Sequence, residues 1–431
     1  MGRVRDKLDA ALARIDDPKD EGARACLTVY REPARAAADA ADARAKAGIS
    51  LGPLDGAIVS IKDLFDVAGE VTRAGSKILA DEGKPASRDA PIVQRLRAAG
   101  AVIIAKTNMT EFAYSGIGAN PHFGTPGNPA DRARVPGGSS SGGAVAAADR
   151  MCDISIGSDT GGSTRIPAAL CGIVGFKPSR QRIPTEGAFP LSYTLDSIGP
   201  MARSVQECAS ADAVMAGGEA RAIEPAPLAN LRIGIPQGMP VDRLDDTVGK
   251  RFPAALDRLG KAGVRLSDEP LPLLERMAEV NAKGGVLPAE ALAVHRDRLA
   301  RRGNDIDPNV RVRLERAEKI PATDYIIMMR ERAELIRAMD ARLSDLDALV
   351  MPTTPVVAPL LSEVSTPDDF ARRNAMVLRN TSMWNFFDCC AISLPLPREG
   401  GLPTGLMVVA RNGQDHRLFR IAAAVERLLA G

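Results

Sequence analysis

The chain has 431 residues, of which 45% are apolar and 26% charged, a composition typical of a folded globular protein. A net charge of +2 with both signs interspersed, and an aromatic content of only 3%, argue against a nucleic-acid-binding or membrane-binding surface. No stretch approaches the roughly 18 apolar residues of a membrane-spanning helix. The six scattered cysteines include no C-x-x-C pair, so we expect a reduced, cytoplasmic protein.

The first part of the chain predicts helices alternating with buried strands. Residues 1–50 are amphipathic and alanine-rich, which favours helices. The apolar segment "AIVSIKDLFDV" is typical of a buried strand, "DAPIVQRLRAAG" of a helix, and "AVIIAKTN" of a second buried strand. The order strand, helix, strand predicts an α/β protein with some parallel pairing.

The remaining elements continue this pattern without an internal repeat. "CGIVGFKP" and "LRIGIP" predict strands, and residues 245–345 consist mostly of charged helical sequence. "DALVMPTTPVVAP", "AISLPLP" and "GLPTGLMVVA" predict further strands before a final helix. Because no linker is apparent, we expect one domain over residues 1–431.

Two glycine–serine turns, "PGGSSSGG" and "GSDTGGSTR", each precede helix-favouring residues. Main-chain N–H groups of such turns can bind a phosphate, or can stabilise an oxyanion beside a nucleophilic serine. They can also serve only close packing, with the serines as helix caps. Phosphate binding is the weakest of the three, because neither turn contains the lysine of a G-x-x-x-x-G-K-[ST] motif.

A nucleophilic serine needs a neighbouring base, and the three histidines lie in unremarkable sequence contexts. Lys62, inside the apolar strand "AIVSIKDLFDV", is the other candidate. Burial disfavours the ammonium form and lowers the pKa of a lysine. The alternative is a lysine that simply pairs with Asp63 or Asp66 at the end of the strand.

Taken together, the motifs resemble those of the amidase signature family of serine hydrolases. The resemblance rests on "GPLDGAIVSIKD", "AGAVIIAKTNMTEFA", "NPADRARVPGGSSSGGAVAAA", "GSDTGGSTRIPAALCGIVGFKPS" and "LDSIGPMARSV", which occur in the family's order and spacing. It implies an α/β amidase-signature fold, in which a central mixed, mostly parallel twisted sheet is covered by helices on both faces.

The resemblance also implies a Ser–cis-Ser–Lys triad. Ser163 falls on the nucleophile, Ser139 on the serine that relays the proton, and Lys62 on the lysine that accepts it. The spacing of the two serines matches the family, and the peptide bond Gly138–Ser139 would be cis.

An oxyanion hole follows from the same resemblance. The main-chain N–H groups of Thr160, Gly161, Gly162 and Ser163 would stabilise the negative charge of the tetrahedral intermediate.

Four further positions resemble supporting or pocket-lining residues of the family, and Ser140 is a fifth candidate because serine favours helix caps. Asp159 and Arg165 would brace the nucleophile loop by an ion pair, and Ser140 would form hydrogen bonds and cap the first turn. Ala113 and Tyr114 fall on positions that line the acyl pocket, although ordinary core packing explains them equally well.

Within the single domain, residues 51–205 carry the signature core. Residues 210–345 would form a variable helical cover over the substrate, and residues 346–431 would complete the sheet with strands and a helix.

The resemblance predicts an amidohydrolase that cleaves a small carboxamide without a cofactor or metal. The alternatives are the glutaminase component of a tRNA-dependent amidotransferase complex and a catalytically silent scaffold. For partners, we expect a small-molecule amide and neither nucleic acid nor membrane, and the family-level expectation for the assembly is a homodimer.

Overall fold

The computed structural model describes residues 3–398 and 400–430. One twisted sheet organises this part of the chain. Its eleven strands are β1 (Cys26–Val29), β2 (Ile58–Lys62), β3 (Val102–Thr107), β4 (Ile154–Asp159), β5 (Val174–Lys177), β6 (Ser197–Ala202), β7 (Arg232–Pro236), β8 (Arg265–Glu269), β9 (Ala348–Pro352), β10 (Cys390–Pro395) and β11 (Gly405–Ala410).

The strands lie in the order β1-β3-β2-β4-β6-β5-β10-β11-β9-β7-β8. Parallel pairing joins β3 to β2, β2 to β4, β9 to β7 and β7 to β8. The other six neighbouring pairs in the described sheet are antiparallel. The α/β class and the mixed sheet are therefore confirmed, whereas the expected predominance of parallel pairs is wrong.

The sixteen helices described outside the sheet are α1 (Val4–Asp16), α2 (Gly22–Ala25), α3 (Arg31–Lys46), α4 (Lys77–Glu82), α5 (Pro91–Ala98), α6 (Ser141–Ala148), α7 (Arg165–Cys171), α8 (Val205–Met215), α9 (Asp246–Lys261), α10 (Leu273–Asn281), α11 (Val286–Arg302), α12 (Pro308–Ala317), α13 (Ala322–Arg342), α14 (Pro367–Leu378), α15 (Ser382–Phe386) and α16 (Asp415–Ala430). Short 3₁₀ turns occupy Glu111–Ala113, Gly303–Asp305 and Leu361–Val364.

Helices cover both faces of the sheet because the central strands are apolar on both sides. In β2, Ile58 packs with the helices of the N-terminal part of the chain, whereas Val59 and Ile61 join the larger cluster formed with α5, α8 and α16. Successive side chains of a strand point to opposite faces, so an unbroken apolar run is buried on both.

Residues 210–345, predicted to be helical, contain α9–α13 and also β7 and β8, which form one edge of the sheet. Strand β8 escaped prediction because its sequence "RLSDE" is polar and mostly exposed. In the described residues, no helix combines the length and the apolarity that crossing a membrane requires. All six cysteines are buried and unpaired.

The two glycine–serine turns lead directly into the buried helices α6 and α7. Every residue of α7 is buried, as are the first seven residues of α6. Strands β2 and β4 lie side by side, so the carboxyl end of β2 with Lys62 and the carboxyl end of β4 meet at one edge of the sheet. The second turn follows β4 immediately, which places it beside Lys62.

Candidate active site

Lys62 ends strand β2 and is completely buried. Its Nζ donates hydrogen bonds to Ser139 Oγ at 2.8 Å and to Ser158 Oγ at 2.9 Å. Neither Asp63 nor Asp66 pairs with Lys62: Asp63 accepts from Arg73, and Asp66 accepts from Thr72. The alternative of an ordinary strand-end ion pair is therefore wrong.

Burial lowers the pKa of Lys62 to about 7, although the negative charges of Asp196 and Asp159 oppose that shift. Both hydrogen-bond partners of Nζ are neutral hydroxyl groups, which do not compensate the loss of hydration as a carboxylate would. A substantial fraction of Lys62 is consequently neutral near pH 7 and can accept a proton.

The turn that carries Ser139 is held by main-chain contacts. The Gly138–Ser139 peptide bond is cis, as the resemblance implies. The Thr110 N–H donates to Ser139 O at 3.1 Å, and the Gly138 N–H donates to Gly116 O at 2.8 Å. The segment from Thr110 to Gly116 is thereby attached at both ends to the Ser139 turn.

The second turn is braced by a bidentate ion pair between two fully buried side chains. Arg165 Nε and Nη2 donate to Asp159 Oδ2 and Oδ1 at 3.0 and 2.9 Å. Burial alone would raise the pKa of Asp159, but Arg165, Lys177 and Asn385 together hold that pKa below its ordinary value. The same carboxylate accepts from the Thr164 hydroxyl at 2.9 Å, so Asp159 organises the loop around Ser163.

Residues from a distant part of the chain complete this brace. Asn385 Nδ2 donates to Asp159 Oδ1 at 2.9 Å, and Thr381 Oγ1 donates to Gly161 O at 2.7 Å. A Cβ atom on Gly162 would lie 2.2 Å from Thr381 Oγ1, and Gly162 has a φ of 132°. The loop therefore requires glycine at this position.

Three of the four predicted oxyanion donors remain free. The Gly162 N–H donates to Asp159 Oδ1 at 2.8 Å, so it is not available to a substrate oxygen, and that part of the prediction is wrong. No main-chain hydrogen bond from the N–H groups of Thr160, Gly161 or Ser163 occurs among the described residues. These three donors lie in the turn beside the Ser163 side chain.

The two turns pack against each other. A Cβ atom on Gly157 would lie 2.6 Å from Ser140 Oγ, and one on Gly137 would lie 3.0 Å from the Cα of Pro167. Ser163 is 4% exposed, and no hydrogen bond joins its hydroxyl to that of Ser139 in the described structure. The first turn thus approaches strand β4 closely at Gly157 and helix α7 closely at Pro167.

The predicted capping role of Ser140 is wrong. Ser140 occupies the N-cap position of α6, but its side chain accepts no hydrogen bond from the helix. Its hydroxyl instead donates to Ser158 O at 3.4 Å, and the Gly142 N–H of the first turn donates to Asn108 O. Ser140 thus connects the first turn to strand β4 rather than to its own helix.

Ala113 and Tyr114 lie in the segment attached to the Ser139 turn. Phe112 and Ala113 have φ values of 54° and 62°, an uncommon left-handed conformation for side chains other than glycine. Tyr114 is buried, and the guanidinium of Arg313 stacks on its ring. Such backbone geometry is concentrated at binding and catalytic sites.

Sequence reasoning missed two residues near Lys62. Ser158 is the second hydrogen-bond partner of Nζ. Asp196, whose pKa is raised to about 6 by burial, accepts from Thr160 Oγ1 at 2.5 Å. Ser158 and Asp196 both line a cavity of 430 Å³. The sequence could have drawn attention to both residues, because Ser158 lies in the quoted motif "GSDTGGS" and Asp196 in "LDSIGP".

Comparison with known proteins gives matches over nearly the whole chain. The family model described as Amidase matches residues 6–419. A 2-amino-5-chloromuconic acid deaminase from Comamonas testosteroni is 35% identical, covering 99% of this chain and 94% of the relative. The A-type component of a glutamyl-tRNA(Gln) amidotransferase from Anaeromyxobacter sp. (strain K) is also 35% identical, with 98% and 92% covered. A crystal structure of an amidase superimposes with a TM-score of 0.88 at 33% identity, covering 99% of this chain and 96% of that chain.

Proposed function

The chain belongs to the amidase family and is a hydrolase of amide C–N bonds, and on that premise we propose that it cleaves a small carboxamide to a carboxylate and ammonia or an amine. In this proposal Ser163 is the nucleophile, Ser139 relays its proton, and Lys62 accepts the proton. The observation that carries it is the 2.8 Å contact of the buried Lys62 Nζ with Ser139 Oγ.

The proton path begins with neutral Lys62. As Ser163 Oγ attacks the carbonyl carbon, Ser139 takes the Ser163 proton and gives its own to Nζ. The Ser163 hydroxyl has to turn toward Ser139 when substrate binds. Catalytic hydrogen bonds are often long in a free enzyme and shorten in its substrate complex. The lowered pKa of Lys62, about 7, supports its role as the base.

The tetrahedral intermediate places negative charge on the former carbonyl oxygen. The free N–H groups of Thr160, Gly161 and Ser163 are suited to stabilise that charge, and losing one such donor typically lowers the rate by about 10²–10³-fold. Asp159 and Arg165 hold the turn that aims these groups, so they are positioning residues.

Collapse of the intermediate breaks the C–N bond and leaves an ester on Ser163. The proton stored on Lys62 returns through Ser139 to the leaving nitrogen, which departs as ammonia or an amine. A water molecule then attacks the ester with the same two groups acting as the base, which releases the carboxylate and regenerates the Ser163 hydroxyl. The cycle needs no group beyond substrate and water.

Covalent labelling tests the nucleophile without knowledge of the natural substrate. A fluorophosphonate should label the wild-type protein at one serine, and Ser163→Ala should abolish both that labelling and ammonia release from amides. Ser365→Ala, a control at a surface serine, should leave both unchanged. Mass spectrometry that finds the label on another serine, or equal labelling of Ser163→Ala, would contradict the proposal.

The similarity to a component of a tRNA-dependent amidotransferase supports a second candidate, in which glutamine is the substrate and a partner receives the ammonia. Ammonia release by the purified chain distinguishes the two candidates. Turnover of simple amides by the chain alone supports the small-amide proposal. Activity restricted to glutamine, and dependent on further protein components, would replace it with the second candidate.

A further inference from the structure

Glu290, on helix α11, is a buried carboxylate that holds a loop of the candidate active site. Its Oε2 accepts hydrogen bonds from the Ser192 hydroxyl and, at 3.1 Å, from the Thr194 N–H. Its Oε1 accepts from the hydroxyl of Tyr325, on helix α13, at 2.7 Å. Glu290 is 4% exposed, and Ser192 is completely buried. Helices α11 and α13 are thereby attached to residues 192–194.

Hydroxyl and N–H donors alone meet the charge of Glu290. In the described residues, no basic side chain lies within ion-pair distance of Glu290, and Arg332, whose charge acts on it from α13, pairs with Asp388. A buried carboxylate is unfavourable unless hydrogen bonds satisfy it. The carboxylate and the loop therefore fix each other in position.

The loop held by Glu290 closes around the carboxylate of Asp196. Asp196 Oδ2 accepts from the main-chain N–H groups of Leu191 and Ser192 at 2.9 and 3.1 Å, and the Asp196 N–H donates to Ser192 O at 3.1 Å. Asp196 Oδ1 accepts from the Thr160 hydroxyl at 2.5 Å. Ser192 thus contacts Glu290 through its side chain and Asp196 through its main chain.

This series of hydrogen bonds ends at two groups of the proposed mechanism. Thr160 carries one of the three free N–H groups of the predicted oxyanion hole, and its side chain is bound to Asp196. The negative charges of Asp196 and Asp159 raise the pKa of Lys62, against the effect of burial. Asp159 is fixed separately by Arg165. A displacement of the loop would therefore move Asp196 and Thr160 but leave Asp159 in place.

We propose that Glu290 is a positioning residue of the reaction, which from helix α11 fixes the Asp196 carboxylate near Lys62 and, through Asp196, the Thr160 N–H that stabilises the oxyanion. The inference rests on the proposed function, in which Lys62 is the base. Oxyanion donors are effective because they are held where the charge develops, and a displacement of about 1 Å can lower a rate by about 10²-fold. Helix α11 would thus contribute to catalysis without touching the substrate.

Fluorophosphonate labelling of Ser163 reports both effects in one pH profile. The inflection follows the pKa of Lys62, and the rate on the alkaline plateau follows the oxyanion donors, because the phosphonyl oxygen takes the place of the oxyanion. Glu290→Ala releases the loop, so Asp196 recedes and the inflection should move to lower pH by about half a unit. The plateau should fall by about tenfold, less than the roughly 10²–10³-fold that loss of a whole donor causes.

Ser192→Ala tests the position of the loop without a change of charge, since it removes one hydroxyl contact and leaves the carboxylate. Both effects should have the same direction and be smaller. In an Asp196→Asn background, Glu290→Ala should still lower the plateau but should not move the inflection further, because the displaced charge is already absent. Glu21→Gln, at a buried glutamate that pairs with Arg24, is the control and should change neither quantity.

Three results would overturn the inference. The first is an unchanged inflection and plateau in both Glu290→Ala and Ser192→Ala, whether or not thermal stability falls, which would leave Glu290 a purely structural role. The second is an inflection that moves to higher pH, and the third is a further shift in the Asp196→Asn background. If Glu290→Ala does not fold, Ser192→Ala decides alone. Labelling of wild-type Ser163 alongside any of these results leaves the proposed function standing, whereas absence of that labelling contradicts the proposed function and this inference together.

Discussion

Two buried basic side chains lie in the candidate site, and their hydrogen-bond partners differ in charge. Arg165 is held by the carboxylate of Asp159, whereas Lys62 contacts only the hydroxyl groups of Ser139 and Ser158. Ser158 and Asp159 are consecutive residues of strand β4, so their side chains point to opposite faces of the sheet. One step along the strand thus separates a hydroxyl partner from a carboxylate partner.

One site can thus contain both a fixed charge and a base. A buried cation in contact with a carboxylate stays charged and serves as a structural brace. A buried cation in contact with hydroxyl groups loses its proton readily, which is the state that a general base requires. Side-chain type and direct contact, rather than burial alone, separate the two roles: a guanidinium stays protonated in proteins, whereas a buried lysine that contacts only hydroxyl groups loses its proton readily.

Removing the base should give the largest effect. Lys62→Arg keeps a buried cation but replaces it with one that cannot be neutral near pH 7. We expect kcat/KM for an amide substrate to fall by about 10³-fold or more. Lys106→Arg, on the neighbouring strand β3, is the control, since Lys106 is equally buried but forms no hydrogen bond to either serine. A Lys62→Arg enzyme within tenfold of wild type would contradict the assignment.

Removing the carboxylate partner should destabilise the brace. Asp159→Asn leaves the Arg165 charge buried and unpaired, and we expect the free energy of unfolding to fall by about 3–5 kcal/mol in chemical denaturation. Asp16→Asn removes a carboxylate from an exposed pair with Arg31 and should change it by no more than about 1 kcal/mol. Equal losses in the two variants would mean that burial of the Arg165 pair has no special consequence.

Giving Lys62 a carboxylate partner should convert it to the state of Arg165. Ser158→Asp would put a negative charge beside Nζ, raise the pKa of Lys62 and lower kcat/KM at pH 7 by about tenfold or more. Ser158→Asn has a similar size without the charge and serves as the control. The expected sign is that activity of Ser158→Asp recovers as the pH rises, because the base becomes neutral only at higher pH. Identical pH–rate profiles of the two variants would refute this.

A smaller shift of opposite sign should follow from Asp196→Asn. The charge of Asp196 raises the pKa of Lys62, so its removal should lower that pKa further. Because neutral Lys62 is the active form, the acidic limb of the pH–rate profile should move to lower pH. A limb that moves to higher pH, or does not move, would show that Asp196 does not act on Lys62 through its charge.

The sequence predicted those residues of the site that each lie in a recognisable local motif. Lys62, Ser139 and Ser163 stood out because each occurs in a quoted motif of the resemblance, and the buried strand β2 was apparent from its apolar run. Glycine spacing could not reveal that the Gly162 N–H is engaged by Asp159, since that depends on how the turn closes.

Contacts between distant segments could not be predicted. Thr381 and Asn385 hold the Ser163 loop from more than 200 positions away, and Arg313 reaches Tyr114 from the least recognisable region of the chain. Antiparallel pairing of β10 with β5 and β11 likewise depends on the folded path of the chain. Local periodicity carries no information on such partners.

The pH dependence of Ser163 labelling tests the central claim most directly, because it reports the state of Lys62 without a substrate. The second-order rate constant for fluorophosphonate labelling should rise with pH through an inflection near the Lys62 pKa of about 7 and then level off. Lys62→Arg should remove the inflection. An inflection near the ordinary lysine pKa of about 10.4, or a rate that is constant from acidic to alkaline pH, would contradict a buried neutral lysine as the base.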